Sequence, residues 1–87
     1  MRTVVLHSDA FDDILDWSRN DRKVLSKIFE LLAAIRKDPF TGIGKPEPLK
    51  HELRGYWSRR ITDEHRLVYA VTDENIIVLS CKNHYQR

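Results

Sequence analysis

Residues 56–80 read YWSRRITDEHRLVYAVTDENIIVLS. Three extended runs are separated here by two short polar turns. The first run, 56–62, is rich in aromatic and β-branched residues, and Asp63-Glu64 supplies its turn. The second, 65–72, alternates Leu67, Tyr69 and Val71 with Val68 and Ala70, so both of its faces are partly covered. Asp73-Glu74-Asn75 forms a second turn. The third run, 76–80, is almost continuously apolar, the pattern of a buried central strand. Turns this short join neighbouring strands that run in opposite directions, which predicts an antiparallel meander.

Upstream, residues 3–7 form a short β-branched run, a first strand. Ser8 is placed to cap a helix, because its hydroxyl accepts from a free amide of the first turn. Asp9, Asp12 and Asp13 follow where negative charge suits the helix dipole. Phe11, Ile14, Leu15 and Trp17 supply an apolar side. Asn20-Asp21 reads as a break and a second cap. Val24, Leu25, Ile28, Phe29, Leu31, Leu32 and Ile35 then recur at helical spacing as one broad apolar stripe. Arg36 and Lys37 close this helix, and Pro39 stops it. Residues 39–50, PFTGIGKPEPLK, read as a loop. The order β-α-α-β-β-β predicts an α+β domain, with two N-terminal helices on one face of a twisted antiparallel sheet and the other face open. Trp17, Tyr56, Trp57 and Tyr69 are assigned to packing, and His7 and His65 to structural roles.

Composition narrows the function classes. The chain has 87 residues, the size of one domain, with 41% hydrophobic and 32% charged residues, too apolar for disorder. A chain this short buries only about 60–65% of its unfolded surface, so association with a partner or a second copy adds useful stability. No apolar run approaches the roughly 20 residues that span a bilayer, and the first residues lack the apolar core of a signal peptide. The single Cys81 has no disulfide partner within the chain, which fits a reducing cytoplasm, and it cannot complete a structural zinc site. The net charge is +2. Residues 1–43 balance seven Lys/Arg against seven Asp/Glu, whereas 44–87 carry eight against six and three of the four histidines. An anionic partner is therefore expected at the second half.

Several residues there are suited to acid–base chemistry. Glu47 lies between Pro46 and Pro48, on backbone that proline stiffens, as a positioned general base requires. Its plainer reading is an exposed turn glutamate. Arg59 shares a strand face with Trp57 and Ile61, and Arg60 with Ser58 and Thr62, so only one of the pair enters a given cleft. Arg60, on the more polar face, is preferred. Arg66 shares a face with Val68 and Ala70, either as a positioned guanidinium or as a surface residue whose stem lies on apolar neighbours. Histidine is the side chain suited to proton transfer near neutral pH, so His84 can protonate a leaving oxygen, or it is a solvent histidine. Tyr85 can stack on a base or cover the sheet end. Together a carboxylate, arginines and a terminal His-Tyr would make a coherent metal-free phosphodiester site. The carboxylate takes the 2′-hydroxyl proton, arginine holds the phosphoryl oxygens, and histidine protonates the departing 5′-oxygen.

GIGKPEPLKHEL at 42–53, GYWSRRITDEHRLVYAVTDE at 55–74 and CKNHY at 81–85 resemble the YoeB toxins, a branch of the RelE superfamily of toxin–antitoxin systems. The resemblance covers nearly the whole chain. It implies the RelE-like fold and a single toxin domain over 1–87. It implies a ribosome-dependent endoribonuclease that cleaves mRNA in the A site, in contact with rRNA and without metal or cofactor. It also implies a homodimer and neutralisation by a YefM-like antitoxin, with operator DNA bound only through the toxin–antitoxin complex. By position the general base falls on Glu47, the phosphate-binding arginine on Arg66 and the general acid on His84. Lys50, His51, Arg60 and Tyr85 match residues that hold the mRNA or assist the site. Gln86 and Arg87 follow as a tail without an assigned role.

Two further readings share the basic second half and the fold. One is a ribosome- or RNA-binding module that blocks translation without cutting. The other is a RelE-like protein with a different target, against which the Glu47, Arg66, His84 set argues.

Overall fold

The computed structural model describes residues 1–83; His84, Tyr85, Gln86 and Arg87 lie outside the described residues. In chain order the elements are β1 (Thr3–Leu6), α1 (Ser8–Asn20), α2 (Arg22–Lys37), β2 (Glu47–Pro48), a 3-10 turn (His51–Leu53), β3 (Tyr56–Arg60), β4 (Arg66–Val71) and β5 (Asn75–Ser80).

Both helix starts have side-chain caps. At α1 the cap is His7, not Ser8: its Nδ1 accepts from the Asp9 amide at 3.2 Å, so Ser8 becomes the first helical residue. Asp21 caps α2 as expected, accepting from the Lys23 and Val24 amides at 3.1 and 3.2 Å. The buried stripe of α2 is Val24, Ile28, Leu31, Leu32 and Ile35. Phe29 is outside it and 54% exposed. At about 100° per residue, Phe29 points some 115° from the centre of that stripe. The same geometry on α1 buries Ala10 and Trp17 but leaves Phe11 and Leu15 exposed.

The two helices pack through these stripes on Ile61, Leu67, Tyr69, Ile76, Val78 and Cys81, which form one core. The sheet has five strands in the order β1-β5-β4-β3-β2. The antiparallel meander expected for β3, β4 and β5 is present. β1, however, joins β5 in parallel, so the sheet is mixed. A strand followed by a crossover through two helices can return to the sheet in the same direction, which a short turn cannot arrange. The stretch read as a loop also contains a strand: Glu47 and Pro48 pair with Ser58 and Trp57. Proline is tolerated there because β2 is at the sheet edge. No helix among the described residues is long and apolar enough to cross a membrane.

Arg59 organises the segment that leads to β2. Its side chain is fully buried. Nε donates to the Tyr69 hydroxyl at 3.1 Å, Nη1 to the Ile43 carbonyl at 3.0 Å, and Nη2 to the Asp38 and Thr41 carbonyls at 2.8 and 2.9 Å. The Tyr69 hydroxyl in turn donates to the Pro39 carbonyl at 2.7 Å. Gly44 completes the contact. Its φ is +83°, and an added Cβ would lie 2.7 Å from Leu31, so only glycine lets the backbone press against α2 there. The Gly44 carbonyl accepts from the Arg60 amide at 2.7 Å, which ties the segment to the end of β3.

Candidate active site

Strand register decides which candidates meet. Glu47 is opposite Ser58, Ser58 opposite Val68, and Arg60 opposite Arg66. Directly paired residues point to the same side of a sheet, as do alternate residues of one strand. Trp57, Arg59, Leu67 and Tyr69 therefore share the helix-covered face. Glu47, Ser58, Arg60, Arg66 and Val68 share the opposite one. Ser58 and Val68 form a small floor between the carboxylate and the two cations. With strands about 4.8 Å apart and a rise of about 3.3 Å per residue, the Cα atoms of Glu47 and Arg66 are about 12 Å apart, with Arg60 between them.

The choice of Arg60 over Arg59 agrees with this arrangement, since Arg59 is enclosed by carbonyls on the other face. Arg60 and Glu47 are exposed. Arg66 is half-buried, and its Nη1 donates to the carbonyls of Thr62, Asp63 and His65 at 2.8, 3.1 and 3.2 Å. The β3–β4 turn thus anchors one corner of the guanidinium. Lys50 and His51 are exposed in the bend after β2, where His51 takes the left-handed φ of 59°. The Leu49 amide donates to the Tyr56 carbonyl at 2.9 Å, so this bend starts from a point still held by β3. Two of the candidates, His84 and Tyr85, lie outside the described residues. Among those described, no three His, Cys, Asp or Glu side chains are grouped to hold a metal ion.

The chain immediately before His84 is described, and it is held firmly. The β4–β5 register shifts between Val68 and Tyr69, close to the end of β5. The Cys81 amide then donates to Asp13 Oδ2 at 3.0 Å, and Trp17 Nε1 donates to the Cys81 carbonyl at 2.9 Å. Lys82 pairs with the Asp16 carboxylate and lies over the Trp17 ring, 5.4 Å from its centre. The Asn83 amide donates to His65 Nδ1 at 2.7 Å, and the Asn83 carbonyl accepts from the Arg66 amide at 3.0 Å. The last described residue is therefore hydrogen-bonded to Arg66, one of the candidate site residues.

The surroundings perturb several groups on this segment. The hydrogen bond and charge of Lys82 hold Asp16 below the usual carboxylate range, and the same bond raises Lys82. Burial, reinforced by the Asp13 carboxylate, pushes the Cys81 thiol up to about 12. Sequence reasoning overlooked the part of Asp13, Asp16 and Trp17 in this anchoring. A signal was present. Spacings of three and four place all three on one side of α1, so two carboxylates and an indole are presented together.

Residues 6–85 match the family described as the YoeB-like toxin of bacterial type II toxin–antitoxin systems. The toxin YoeB of Escherichia coli K12 is 51% identical over 82 residues, covering 94% of this chain and 98% of that protein. A YoeB/ParE toxin from Agrobacterium tumefaciens superposes with a TM-score of 0.92 at 44% identity, covering 95% of this chain and 99% of that one. A Staphylococcus aureus YoeB is solved both as a dimer, with a TM-score of 0.90 at 48% identity over 97% of this chain and 98% of that one, and in a heterotetrameric YoeB–YefM complex, with a TM-score of 0.89 at 48% identity over 98% and 99%. With two helices on a five-stranded mixed sheet and a family match over nearly its whole length, this chain belongs to the YoeB-like toxins of type II toxin–antitoxin systems.

Proposed function

We propose that this chain is an mRNA endoribonuclease that acts in the ribosomal A site and so stops translation. The observation that carries the reading is the shared face: Glu47, Arg60 and Arg66 lie together on the side of the sheet away from the helices, and the chain leaves toward His84 from a residue hydrogen-bonded to Arg66. Glu47 takes the proton of the 2′-hydroxyl. The freed oxygen attacks the adjacent phosphorus, and the bond from phosphorus to the 5′-oxygen breaks. His84 gives its proton to that departing oxygen. The products are a 2′,3′-cyclic phosphate and a 5′-hydroxyl. Arg66 and Arg60 bond the phosphoryl oxygens as negative charge accumulates. Lys50, His51 and Tyr85 hold the mRNA. Each acid or base contributes roughly 10²–10⁴-fold, without a metal ion.

The 87 residues act as one toxin domain in the cytoplasm. The relatives from S. aureus support a homodimer and a YefM-like antitoxin as partners, and the complex with antitoxin would bind the operator DNA. Purified ribosomes programmed with mRNA, read by primer extension, test the activity. New 5′ ends in the A-site codon are expected with the unmodified chain, and their rate of appearance should fall at least about 10²-fold in Glu47→Ala, Arg66→Ala and His84→Ala. Ribosome binding and translation arrest without new 5′ ends would overturn the reading in favour of a translation blocker.

A further inference from the structure

His65 stands apart from the groups given roles in catalysis, yet its side chain binds the residue that precedes His84. The bond from the Asn83 amide to His65 Nδ1 is short, at 2.7 Å. An Nδ1 that accepts carries no proton, so the neutral ring bears its proton on Nε2, which lies 3.8 Å from Glu64 Oε1. The ring has little freedom. It meets the Trp17 ring edge-on, with centres 4.8 Å apart and planes at 77°. Its backbone is equally fixed: the His65 amide donates to Thr62 Oγ1 at 3.0 Å, and the His65 carbonyl accepts from the Ile61 amide at 2.9 Å.

Asn83 is thereby gripped at both ends by consecutive residues. Its amide is on the His65 side chain and its carbonyl on the Arg66 amide. Its φ of 67° lies in the left-handed region, which asparagine tolerates better than most residues. We propose that His65 is a positioning residue: through Nδ1 it sets the Asn83 peptide, and with it the direction in which the chain proceeds to His84. The same two residues, His65 and Arg66, then fix both the phosphate-binding guanidinium and the approach of the acid. This inference rests on the reading of His84 as the general acid.

Three substitutions separate positioning from packing. Asparagine carries its Oδ1 two bonds from Cβ, where histidine carries Nδ1, so His65→Asn retains an acceptor for Asn83. Glutamine carries its oxygen one atom further out, so His65→Gln does not, and His65→Phe keeps only the ring on Trp17. Misplacing a reacting group by about 1 Å costs on the order of 10²-fold. His65→Gln and His65→Phe are therefore expected to lower kcat by about that factor with KM little changed, and His65→Asn to recover most of the rate. The decisive substrate is mRNA with a bridging sulfur in place of the 5′-oxygen at the cleaved position, because a thiolate departs without protonation. On it, His65→Gln, His65→Phe and His84→Ala should all cut at rates close to the unmodified chain.

If the His65 variants lose as much on the sulfur substrate as on the oxygen one while His84→Ala is relieved, His65 only supports the fold and the inference is overturned. A His84→Ala defect that sulfur fails to relieve overturns instead the assignment of His84 as acid. Because His65→Asn and His65→Gln carry the same functional group, equal rates for the two would also refute the role of Nδ1, even if His65→Phe proves insoluble.

Discussion

Arg60 and Arg66 stand directly opposite each other across the β3–β4 ladder, two like charges at paired positions on one face. Like charges directly opposite each other destabilise a sheet unless an anion neutralises them. On the proposed function, the RNA phosphate supplies that anion. Replacing Arg60 with Gln should therefore raise the melting temperature slightly while weakening mRNA cleavage. The stability gain should vanish when inorganic phosphate at high concentration occupies the site in the unmodified chain. Thermal melts of both proteins with and without phosphate check this, and a lower melting temperature for Arg60→Gln in its absence would contradict it.

Arg59, one residue away, makes the opposite prediction. Its guanidinium satisfies the carbonyls of Asp38, Thr41 and Ile43 inside the protein. Each buried polar group left without a partner costs about 1–3 kcal/mol, so Arg59→Leu should lose at least about 3 kcal/mol in urea unfolding. Lysine cannot replace it, because one ammonium does not reproduce the planar fork of donors. Arg59→Lys should remain well below the unmodified chain in stability. Because the 38–44 segment leads to β2, its surviving folded fraction should also cleave mRNA more slowly. A variant of normal stability would show that the hydrogen-bond hub is dispensable.

These two arginines show what was legible in the sequence. Alternation along β3 correctly put them on opposite faces, and polarity correctly sent Arg60 to the face away from the helices, where it is exposed. That Arg59 is wholly buried was not legible, because its partners are backbone carbonyls 16 to 21 residues away, which leave no trace in residue type. Helix periodicity found both helices but set the apolar arcs too wide, taking in Phe29 and Phe11. The pairing of Glu47 with Ser58 was hidden because two prolines read as loop punctuation, whereas a two-residue edge strand needs few amide donors. The parallel seat of β1 depends on how the helices cross the sheet, a tertiary outcome that short-range pattern does not carry. The Glu47, Arg60 and Arg66 grouping follows from register, and register emerged only once β2 was placed.

The Asp16–Lys82 pair gives a pH signature. The bond to Lys82 lowers the Asp16 carboxyl, so its stabilising contribution is complete above the ordinary value of 3.8 and disappears as pH falls through the lower folded value. Lys82 is raised, so its contribution holds below 10.5 and is lost as pH climbs past it. The Lys82 ammonium sits over Trp17, which reports the pair directly. In a Trp57→Phe, His65→Asn background, which removes the second indole and the imidazole packed on Trp17, Trp17 fluorescence should stay flat from about pH 5 to 9 and change only outside that range. Asp16→Asn should abolish the acid-side change. An acid transition that persists in Asp16→Asn would assign it to another group.

Cys81 offers a direct probe of the same anchoring. Burial and the nearby Asp13 carboxylate push its thiol up to about 12, and the thiolate is the form that reacts. At pH 8 the folded chain should therefore label with iodoacetamide far more slowly than the unfolded chain. The linkage has a definite sign. The folded thiol keeps its proton longer than the unfolded one, so stability is unaffected below the unfolded value of 9.0 and falls as pH rises from there toward about 12. The thiol's share of the slope should approach about 1.4 kcal/mol per pH unit, so Cys81→Ala should fall less steeply above pH 9.0 and keep only the part owed to groups such as Tyr69 and Lys82. Trp17→Phe removes the indole that holds the Cys81 carbonyl, and should speed labelling at pH 8 more than its loss of global stability accounts for. Labelling that instead tracks global unfolding in every variant would mean that the 81–83 segment never detaches on its own.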